Sequence, residues 1–377
     1  MHIVIIIQEF FPFVERTALA RESVQLARSL KQAGMEVSAV LPTIEGVDLK
    51  AHALARRLSP IRARIGDREI VIRRYDGRTP DGVDVNLLEI EGEGSADPAI
   101  RCAAAAALVG SFATPPDVCI SFGREVEGFA EAARALPGLA ETVLLANLTS
   151  VEGPVSAVPY ADRVVTATGK SIPLGTEDAG KFAVIPFGTS AVEMSDKSSE
   201  KTALQMRLGF PVRADVPMTV FVAFEKEALA VYLSGNVQAV IFDDRTDCAA
   251  LLDRYPDRLR KAAPDALFSL LAGADACVFE NDAAMVAACL IRGTLPVCTA
   301  SEHVVDLEPS LASGTGIVIE SLDAGAISEG LARLVSAFHA KDAFRLLASR
   351  LPSYAVTWQR TAALTLGLVE EVQMENR

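Results

Sequence analysis

His2-Ile-Val-Ile-Ile-Ile-Gln8 opens the chain with a run of β-branched residues, which is typical of a strand covered on both faces. A second apolar stretch, Glu36-Val-Ser-Ala-Val-Leu41, predicts the next strand. Gly34 supplies the positive φ that ends a helix between them. A right-handed crossover of this kind makes the two strands parallel neighbours. The helix is predicted from small and apolar side chains that form one stripe at helical spacing: Leu19, Ser23, Leu26, Ala27 and Leu30.

The same alternation of strands and helices continues along the chain and predicts two α/β domains, which the length of 377 residues also favours. Asp97 and Pro98 predict the start of an Ala-rich helix that reaches Ala113, because Asp is a favoured N-cap and Pro a favoured first residue. The polar stretch Met194–Lys201 predicts the linker between the domains. The remaining strands are predicted at Ile70–Tyr75, Val83–Ile90, Pro116–Phe122, Leu144–Asn147, Arg163–Thr168, Met218–Ala223, Val237–Phe242, Ala276–Phe279, Leu295–Cys298 and Gly316–Ile319.

The composition limits the partners and the location of the protein. A net charge of −13 repels phosphate backbones, so nucleic acid is not expected as a partner. Hydrophobic residues make up 50% of the chain, but no run reaches the roughly 18 apolar residues of a membrane span. The first strand lacks the basic flank and the small-residue cleavage site of a signal peptide. The sequence therefore predicts a cytoplasmic protein with no membrane partner.

Neither the cysteines nor the histidines have the spacing of a metal site. The six cysteines include no C-x-x-C pair, and no two of the four histidines stand at positions i and i+4. Most of the cysteines stand among apolar residues, which favours reduced, buried thiols over metal or redox roles. We therefore expect neither a metal nor a cofactor.

A series of short motifs resembles the bacterial glycogen and starch synthase family from end to end. For example, Lys201-Thr-Ala-Leu-Gln-Met-Arg-Leu-Gly209 resembles that family's K-x-x-L-Q-x-x-L-G. Each match is short, but the matches follow the family's order over nearly the whole chain. The other matching segments are Pro12-Phe13, Leu19-Ala20, Gly34–Pro42, Pro116–Ile120, Tyr160–Thr168, Ile185–Gly188, Ala191–Met194, Val212–Pro217, Leu270–Asp275, Arg292–Val297 and Trp358–Ala362.

The resemblance implies the GT-B glycosyltransferase fold, an α/β architecture of two Rossmann-like domains whose parallel sheets face each other across a cleft. It implies an N-terminal domain over residues 1–193, completed by a C-terminal helix over 355–377, and a C-terminal domain over 202–350. In such enzymes a nucleotide-sugar binds at the C-terminal edges of both sheets. Cations and close-approach glycines hold its diphosphate, and a carboxylate holds the sugar.

In the first domain, the positions that match the family's donor-site motifs carry different chemistry. Glu15-Arg16-Thr17-Ala18-Leu19 stands where the family has K-T-G-G-L, so a carboxylate replaces the lysine. Arg16 either reaches a phosphate or forms a solvated pair with Glu15, and the second interpretation is favoured. The family's histidine-rich segment after the strand ending at Ile120 is also replaced. Either a plain helix entry follows that strand, or a new polar site is formed by Ser121, Arg124 and Glu125.

In the second domain the phosphate-binding cations of the family are replaced as well. Phe224 stands near the position of the family's arginine, and Leu229 stands near that of its lysine. Lys226 is the remaining cation of the segment, and glutamates flank it on both sides. Loss of two charge-assisted phosphate contacts is expected to weaken the binding of a sugar diphosphate strongly.

Three further segments of the second domain bear on activity. Glu280 is the candidate for the acidic residue that supports transfer in the family, although the turn around it differs. Glu302 and His303 stand in Ser301–Val304, where the family has T-G-G-L, so a second carboxylate replaces a glycine-lined loop. Gly314-Thr-Gly316 matches the family and predicts a structural turn with positive φ before a strand.

The residues that match the family are those that form the fold, whereas those that would perform the chemistry differ. We therefore expect a degenerate glycosyltransferase that acts as a binding or regulatory module, with a glucan, a nucleotide-sugar or a protein as partner. The alternative is an active glucosyltransferase that uses ADP-glucose or UDP-glucose in a remodelled site. In that case the phosphates are held by Arg16, Arg124 or Lys226, and the sugar by Glu280 or Glu125.

Overall fold

The chain folds into two compact units. The N-terminal unit comprises Met1–Phe187 together with Trp358–Arg377, and the C-terminal unit comprises Gly188–Thr357. The computed structural model describes residues 1–15, 18–65, 68–91, 97–123, 128–148, 158–167, 179–189, 196–242, 248–263, 266–301 and 303–376.

The N-terminal unit is a mixed sheet with helices on both faces. Its strands are β1 (His2–Ile6), β2 (Glu36–Leu41), β3 (Ala55–Arg56), β4 (Ile61–Ile65), β5 (Arg68–Arg78), β6 (Asp84–Glu91), β7 (Val118–Phe122), β8 (Val143–Asn147), β9 (Arg163–Thr166) and β10 (Phe182–Val184). Its helices are α1 (Ala18–Gln32), α2 (Pro98–Gly110), α3 (Phe129–Arg134) and the C-terminal helix, α11 (Trp358–Glu375). Short 3₁₀ turns lie at Pro137–Leu139 and Ala179–Lys181.

Seven strands of this sheet are parallel, in the order β10-β9-β8-β7-β1-β2-β6. The expectation of parallel sheets is confirmed, and this sheet adds an antiparallel far edge, where β5 pairs with β6, β3 and β4. The reason is the connection. Between β5 and β6 the chain turns within Thr79–Val83, where the Thr79 amide donates to the Val83 carbonyl at 2.9 Å. So short a connection permits only antiparallel pairing.

The prediction that the first strand is covered on both faces is confirmed by the division of its side chains between two cores. Ile3 and Ile5 pack into the core beneath α1 and α11, whereas Val4 and Ile6 pack into the core beneath α2 and α3. The polar caps expected from the sequence are also present. The Asp97 carboxylate accepts from the Ala99 amide at the start of α2.

The C-terminal unit contains a six-stranded sheet that is parallel throughout, in the order β13-β12-β11-β14-β15-β16. Its strands are β11 (Met218–Phe221), β12 (Gln238–Ile241), β13 (Leu259–Lys261), β14 (Ala276–Phe279), β15 (Leu295–Thr299) and β16 (Ile317–Ile319). Its helices are α4 (Lys197–Arg207), α5 (Lys226–Ser234), α6 (Ala249–Arg254), α7 (Leu267–Gly273), α8 (Ala283–Ile291), α9 (Ala324–His339) and α10 (Lys341–Arg350), followed by a 3₁₀ turn at Leu351–Tyr354.

The interpretation of Met194–Lys201 as a linker is wrong for the part of it that the structure describes. Asp196 is the N-cap of α4, and its carboxylate accepts from the amides of Ser198 and Ser199. The helix then begins at Lys197, before the stretch ends. Asp, Ser and Lys in succession have the composition of a loop, but here they form the cap and first turn of a helix.

The turn predicted at Gly314-Thr-Gly316 is present. Gly314 has a φ of +93°, and a Cβ there would lie 2.5 Å from the Asp306 carbonyl oxygen. Gly34, predicted to end α1, has a φ of +88°. Both glycines therefore occupy the left-handed region that other residues adopt only at a cost.

Candidate functional site

The strand order of each unit defines the edge at which a ligand is expected. In the N-terminal sheet the order reverses between β1 and β7, and in the C-terminal sheet it reverses between β11 and β14. In open α/β sheets the crevice beyond the carboxyl ends of such strands is the general ligand position. The loops after these strands hold most of the residues selected from the sequence.

In the N-terminal unit, the loop after β1 carries an ion pair in place of a free cation. The Glu15 carboxylate forms a salt bridge with the Arg21 guanidinium of α1, and both side chains are at least one-third exposed. The Arg21 guanidinium also lies 5.6 Å from the centre of the Phe11 ring. Glu15 therefore pairs with Arg21, and Arg16 lies outside the described residues.

The end of β7 places its serine inside the sheet. Ser121 is buried, and its hydroxyl lies 3.5 Å from the Leu145 carbonyl of the neighbouring strand. Gly123 follows with a φ of +76°, and a Cβ there would lie 3.9 Å from the Leu19 side chain. The structure thus directs Ser121 toward β8. Arg124 and Glu125 lie outside the described residues.

One polar residue near the carboxyl end of β1 was not among the candidate site residues identified from the sequence. Gln8 is the second residue after β1, and its Nε2 atom is buried without a hydrogen-bond partner among the described residues. Unpaired buried amides are uncommon in proteins. The available signal was its position as the first polar residue after the apolar run Ile3-Val-Ile-Ile-Ile7.

In the C-terminal unit, the two positions that correspond to phosphate-binding cations belong to the hydrophobic core. Phe224 is 8% exposed, and its ring meets Phe221 edge-on with centroids 5.8 Å apart. Leu229, on α5, is completely buried in the same core. Neither side chain is available to a charged ligand. Replacement of either by Arg or Lys would bury an unpaired cation.

The start of α5 carries the cation that remained in this segment as a candidate phosphate ligand. Lys226 is the first residue of the helix and is partly exposed, and the glutamates at 225 and 227 are exposed beside it. Glu225 is the N-cap, but its side chain makes no capping hydrogen bond. The first amides of α5 therefore lack the side-chain cap that Asp282 gives to α8.

The segment after β14 is a short turn in which two of three polar side chains have structural roles. Asn281 donates through its amide side chain to the Ala300 carbonyl at 2.9 Å. Asp282 caps α8 by accepting from the amides of Ala284 and Met285 at 2.8 and 3.0 Å. Glu280 precedes them and is exposed. The cap at Asp282 was missed, although an Asp immediately before an apolar helix is a recognised start signal.

His303 lies in the segment that follows β15. Its backbone amide donates to the Ser301 hydroxyl at 3.3 Å, and its Nε2 atom is buried without a partner in the described parts of the chain. The next residue, Val304, is buried. His303 is thus a second unpaired polar group close to the carboxyl end of a strand, and Glu302 lies outside the described residues.

All six cysteines are buried, as the sequence predicted, and none of them is in a disulfide. Within the described ranges, no cluster of three or more His, Cys, Asp or Glu side chains is arranged to hold a metal ion. No described helix is both long and apolar enough to cross a membrane.

The fold defines the class of the chain as an α/β protein with the GT-B glycosyltransferase architecture. It is similar over 99% of both chains to the catalytic domain of starch synthase IV from Arabidopsis thaliana, solved with ADP and acarbose, at a TM-score of 0.76 and 14% identity. It is similar to a glycosyltransferase from Rickettsia africae over 98% of both chains, at a TM-score of 0.67 and 13% identity.

A third solved structure extends the likeness to another kind of sugar transferase. The α,α-trehalose 6-phosphate synthase of Burkholderia multivorans matches at a TM-score of 0.58 and 11% identity, covering 100% of this chain and 97% of that one. No family model and no curated protein matches the sequence. At identities this low the shared architecture is established, whereas function depends on the site.

Proposed function

We propose that this chain is a degenerate GT-B glycosyltransferase that acts as a binding or regulatory module, with a glucan or a protein as its partner. The observation that carries the proposal is the placement of Phe224 and Leu229 in the hydrophobic core of the C-terminal unit. These positions correspond to the Arg and Lys that hold the donor diphosphate in the glycogen and starch synthase family.

The energetic consequence is large. Each charge-assisted contact to a phosphate contributes about 1.5–3 kcal/mol, so the loss of two weakens binding roughly 100- to 10,000-fold. Lys226 does not compensate, because two exposed glutamates flank it. In the N-terminal unit, Glu15 stands at the position of the family's lysine and pairs with Arg21. In both units, the residues near the carboxyl ends of the strands therefore disfavour the binding of an anionic sugar donor.

Titration with nucleotide-sugars tests the proposal directly. A ligand at 100 times its Kd raises apparent stability by about 2.7 kcal/mol, which a thermal-shift measurement resolves. We expect no shift with ADP-glucose or UDP-glucose up to millimolar concentration, whereas a soluble glucan or a copurifying protein should raise the Tm. A clear shift with either nucleotide-sugar contradicts the proposal.

The second candidate is an active glucosyltransferase with a remodelled donor site. It is supported by the α5 amides that lack a side-chain cap, by the exposed Glu280, and by the unpaired Gln8 and His303 side chains at the carboxyl edges. Uncapped helix amides attract phosphate groups. This candidate predicts that radiolabelled glucose passes from ADP-glucose or UDP-glucose to a glucan.

Matched variants decide whether any measured transfer belongs to this site. Glu280→Gln should abolish transfer, and Lys226→Gln should lower it, whereas Lys50→Gln, an exposed change elsewhere, should leave it unaltered. Absence of transfer in the wild-type protein removes the second candidate. We also propose that the protein is cytoplasmic, because six buried thiols without a disulfide suit a reducing compartment.

A further inference from the structure

The C-terminal unit contains a cavity at the edge of its sheet opposite to the candidate donor site. Asp275 directly precedes β14, Gly293 lies two residues before β15, and Asp215 lies three residues before β11, and all three line the cavity. The cavity therefore opens at the amino ends of the strands. Its volume is about 690 Å³, which is within the usual range for small-molecule sites.

The inner wall of the cavity is a fully bonded polar network. Lys197 donates through its ammonium to the carbonyls of Leu271 and Arg292, each at 3.0 Å, and to the Thr294 hydroxyl at 2.7 Å. Lys201 forms a buried ion pair with Asp275 at 2.6 Å. This network holds the wall in one arrangement, and it leaves the Lys197 charge without a carboxylate among its hydrogen-bond partners.

The two remaining carboxylates of the lining are engaged by other groups. Asp196 accepts from the first amides of α4 and from the Ser199 hydroxyl at 2.9 Å. Asp215 forms a salt bridge with Arg213 at 2.7 Å. Asp196 interacts electrostatically with Arg345 of α10, and Asp215 does so with Lys341. Neither carboxylate forms a salt bridge with these two cations among the described residues, so the charges of Lys341 and Arg345 are only partly offset within the lining.

Those cations stand on the first turns of α10. Lys341 is exposed and forms no salt bridge within the described residues, and the salt bridge of Arg345 there is a long, solvent-exposed one with Asp342, at 3.9 Å. The N-cap of the helix is Ala340, so no side chain caps its first amides. The positive end of the helix dipole adds to the two side-chain charges, and the carboxylate of Asp342 in the first turn offsets part of this positive charge.

Part of the cavity lining is apolar. It is formed by the rings of Phe338 and Phe344, whose centroids lie 5.4 Å apart, together with Ala348. Phe338 also lies beneath the Lys201 ammonium, 4.7 Å from the ring centre. The hydroxyls of Ser198 and Ser349 stand on the lining between the charged and apolar parts.

We propose that this cavity binds a small organic phosphate monoester that carries an apolar or aromatic group, a class that excludes nucleotide-sugars because their diphosphate has no terminal dianion. The phosphate contacts Lys341, Arg345 and the first amides of α10, and the organic part lies against Phe338 and Phe344. A chain with a net charge of −13 repels anions in general, so a local excess of cations beside a preformed apolar wall selects this class of ligand. This cavity is separate from the candidate donor site, which lies at the carboxyl ends of the strands.

Phenyl phosphate is a suitable probe, because it combines a dianion with one ring. Isothermal titration should show one saturable site in the C-terminal unit, whereas benzyl alcohol, its neutral analogue, and inorganic phosphate should each bind at least about tenfold more weakly. Absence of saturable binding by phenyl phosphate overturns the proposal, and so does equal binding of benzyl alcohol.

Charge-matched variants locate the site. Lys341→Gln with Arg345→Gln should weaken phenyl phosphate binding at least about tenfold. The control pair Lys50→Gln with Arg64→Gln removes the same charge from exposed positions of the other unit and should change binding less than about twofold. Equal weakening by both pairs would show a general electrostatic effect and would contradict the proposal.

Two single variants complete the test. Ser349→Glu places a carboxylate on the exposed rim of the cavity and should abolish binding while the fold is retained. Lys226→Gln, at the candidate donor site, should leave phenyl phosphate binding unchanged. If Lys226→Gln abolishes binding instead, the probe binds at the candidate donor site and not in the cavity, and the proposal is wrong.

Discussion

The Lys201 ammonium lies 2.6 Å from the Asp275 carboxylate, and both side chains are more than nine-tenths buried. Lys201 also donates to the Val216 carbonyl, and Asp275 also accepts from the Met218 amide, at 2.6 and 2.7 Å. The pair therefore joins α4 to the starts of β11 and β14. Both residues belong to motifs that resemble the glycogen and starch synthase family, which gives those motifs a structural role.

Removal of either partner should destabilise the C-terminal unit strongly. Lys201→Met and Asp275→Leu should each lower the free energy of unfolding by about 3–5 kcal/mol, because each leaves a buried charge without its partner. The double variant should lose less than the sum of the two single losses. Urea denaturation followed by circular dichroism measures all three. Additive losses would show that the two charges are not coupled.

The buried Lys197 ammonium should make stability depend on alkaline pH. Burial lowers its pKa from 10.5 to about 8, and the nearby Asp275 carboxylate opposes that shift only in part. Between these values the unfolded chain binds more protons, so stability rises with pH. Relative to Lys197→Met, the wild-type protein should gain up to about 3 kcal/mol between pH 7.5 and 10.5.

The comparison with Lys197→Met is necessary because other groups titrate in the same range. The buried cysteines, for example, lose protons more easily in the unfolded chain and lower stability as the pH rises. Urea midpoints of both proteins at several pH values give the difference. A difference that stays constant from pH 7.5 to 10.5 would contradict the lowered pKa of Lys197.

The C-terminal helix should be essential to the N-terminal unit. Trp358 is buried against Phe187, with ring centroids 5.6 Å apart, and the Thr361 hydroxyl donates to the Pro186 carbonyl at 2.9 Å. Trp358→Ala should cost about 3–5 kcal/mol of unfolding free energy. Met374→Ala, on an exposed part of the same helix, should change it by less than about 0.5 kcal/mol. Similar losses in both variants would show a nonspecific effect.

Two glycines with nearly the same backbone angle should respond differently to alanine. Gly34 has a φ of +88° and no atom within 4 Å of an added Cβ, so Gly34→Ala should cost only the left-handed strain of about 1–2 kcal/mol. Gly314 has a φ of +93°, and its Cβ would meet the Asp306 carbonyl at 2.5 Å. Gly314→Ala should therefore cost distinctly more in thermal unfolding. Equal losses would show that the turn relaxes freely.

The cysteines should be unreactive in the folded protein. Burial raises the pKa of the Cys298 thiol to about 12 and raises that of Cys277 well above its ordinary value. Few thiolates are therefore present at pH 8, and the thiolate is the reactive form. A chromogenic disulfide reagent should titrate all six thiols in urea and almost none in native buffer. Rapid native labelling of any one thiol would show that it is accessible.

Much of the fold could be predicted from periodicity and from capping residues. The strand Glu36–Leu41 has the predicted bounds, and the Asp97 cap starts α2 as expected. Strand direction at the far edge could not be predicted, because it depends on the turn within Thr79–Val83. The start of α4 was also missed, since polar capping residues have the composition of a linker.

The candidate site was less predictable than the fold. The sequence indicated that Phe224 replaces a cation, but only the structure shows that this ring contacts Phe221 in the core. It also shows that Glu15 pairs with Arg21 and that Ser121 is buried between strands. These outcomes depend on which side chains the packed elements bring together, and spacing along the chain does not specify that.

The sequence by itself determined the class of architecture and the loss of the family's cations, because strand periodicity and residue identity are local properties. Only the tertiary structure decided which polar groups pair, which are buried, and where Lys197, Lys341 and Phe338 enclose a common cavity. Such juxtapositions join segments more than a hundred residues apart. They arise when the sheet and its helices close on one core, since burial and low dielectric act on neighbours in space.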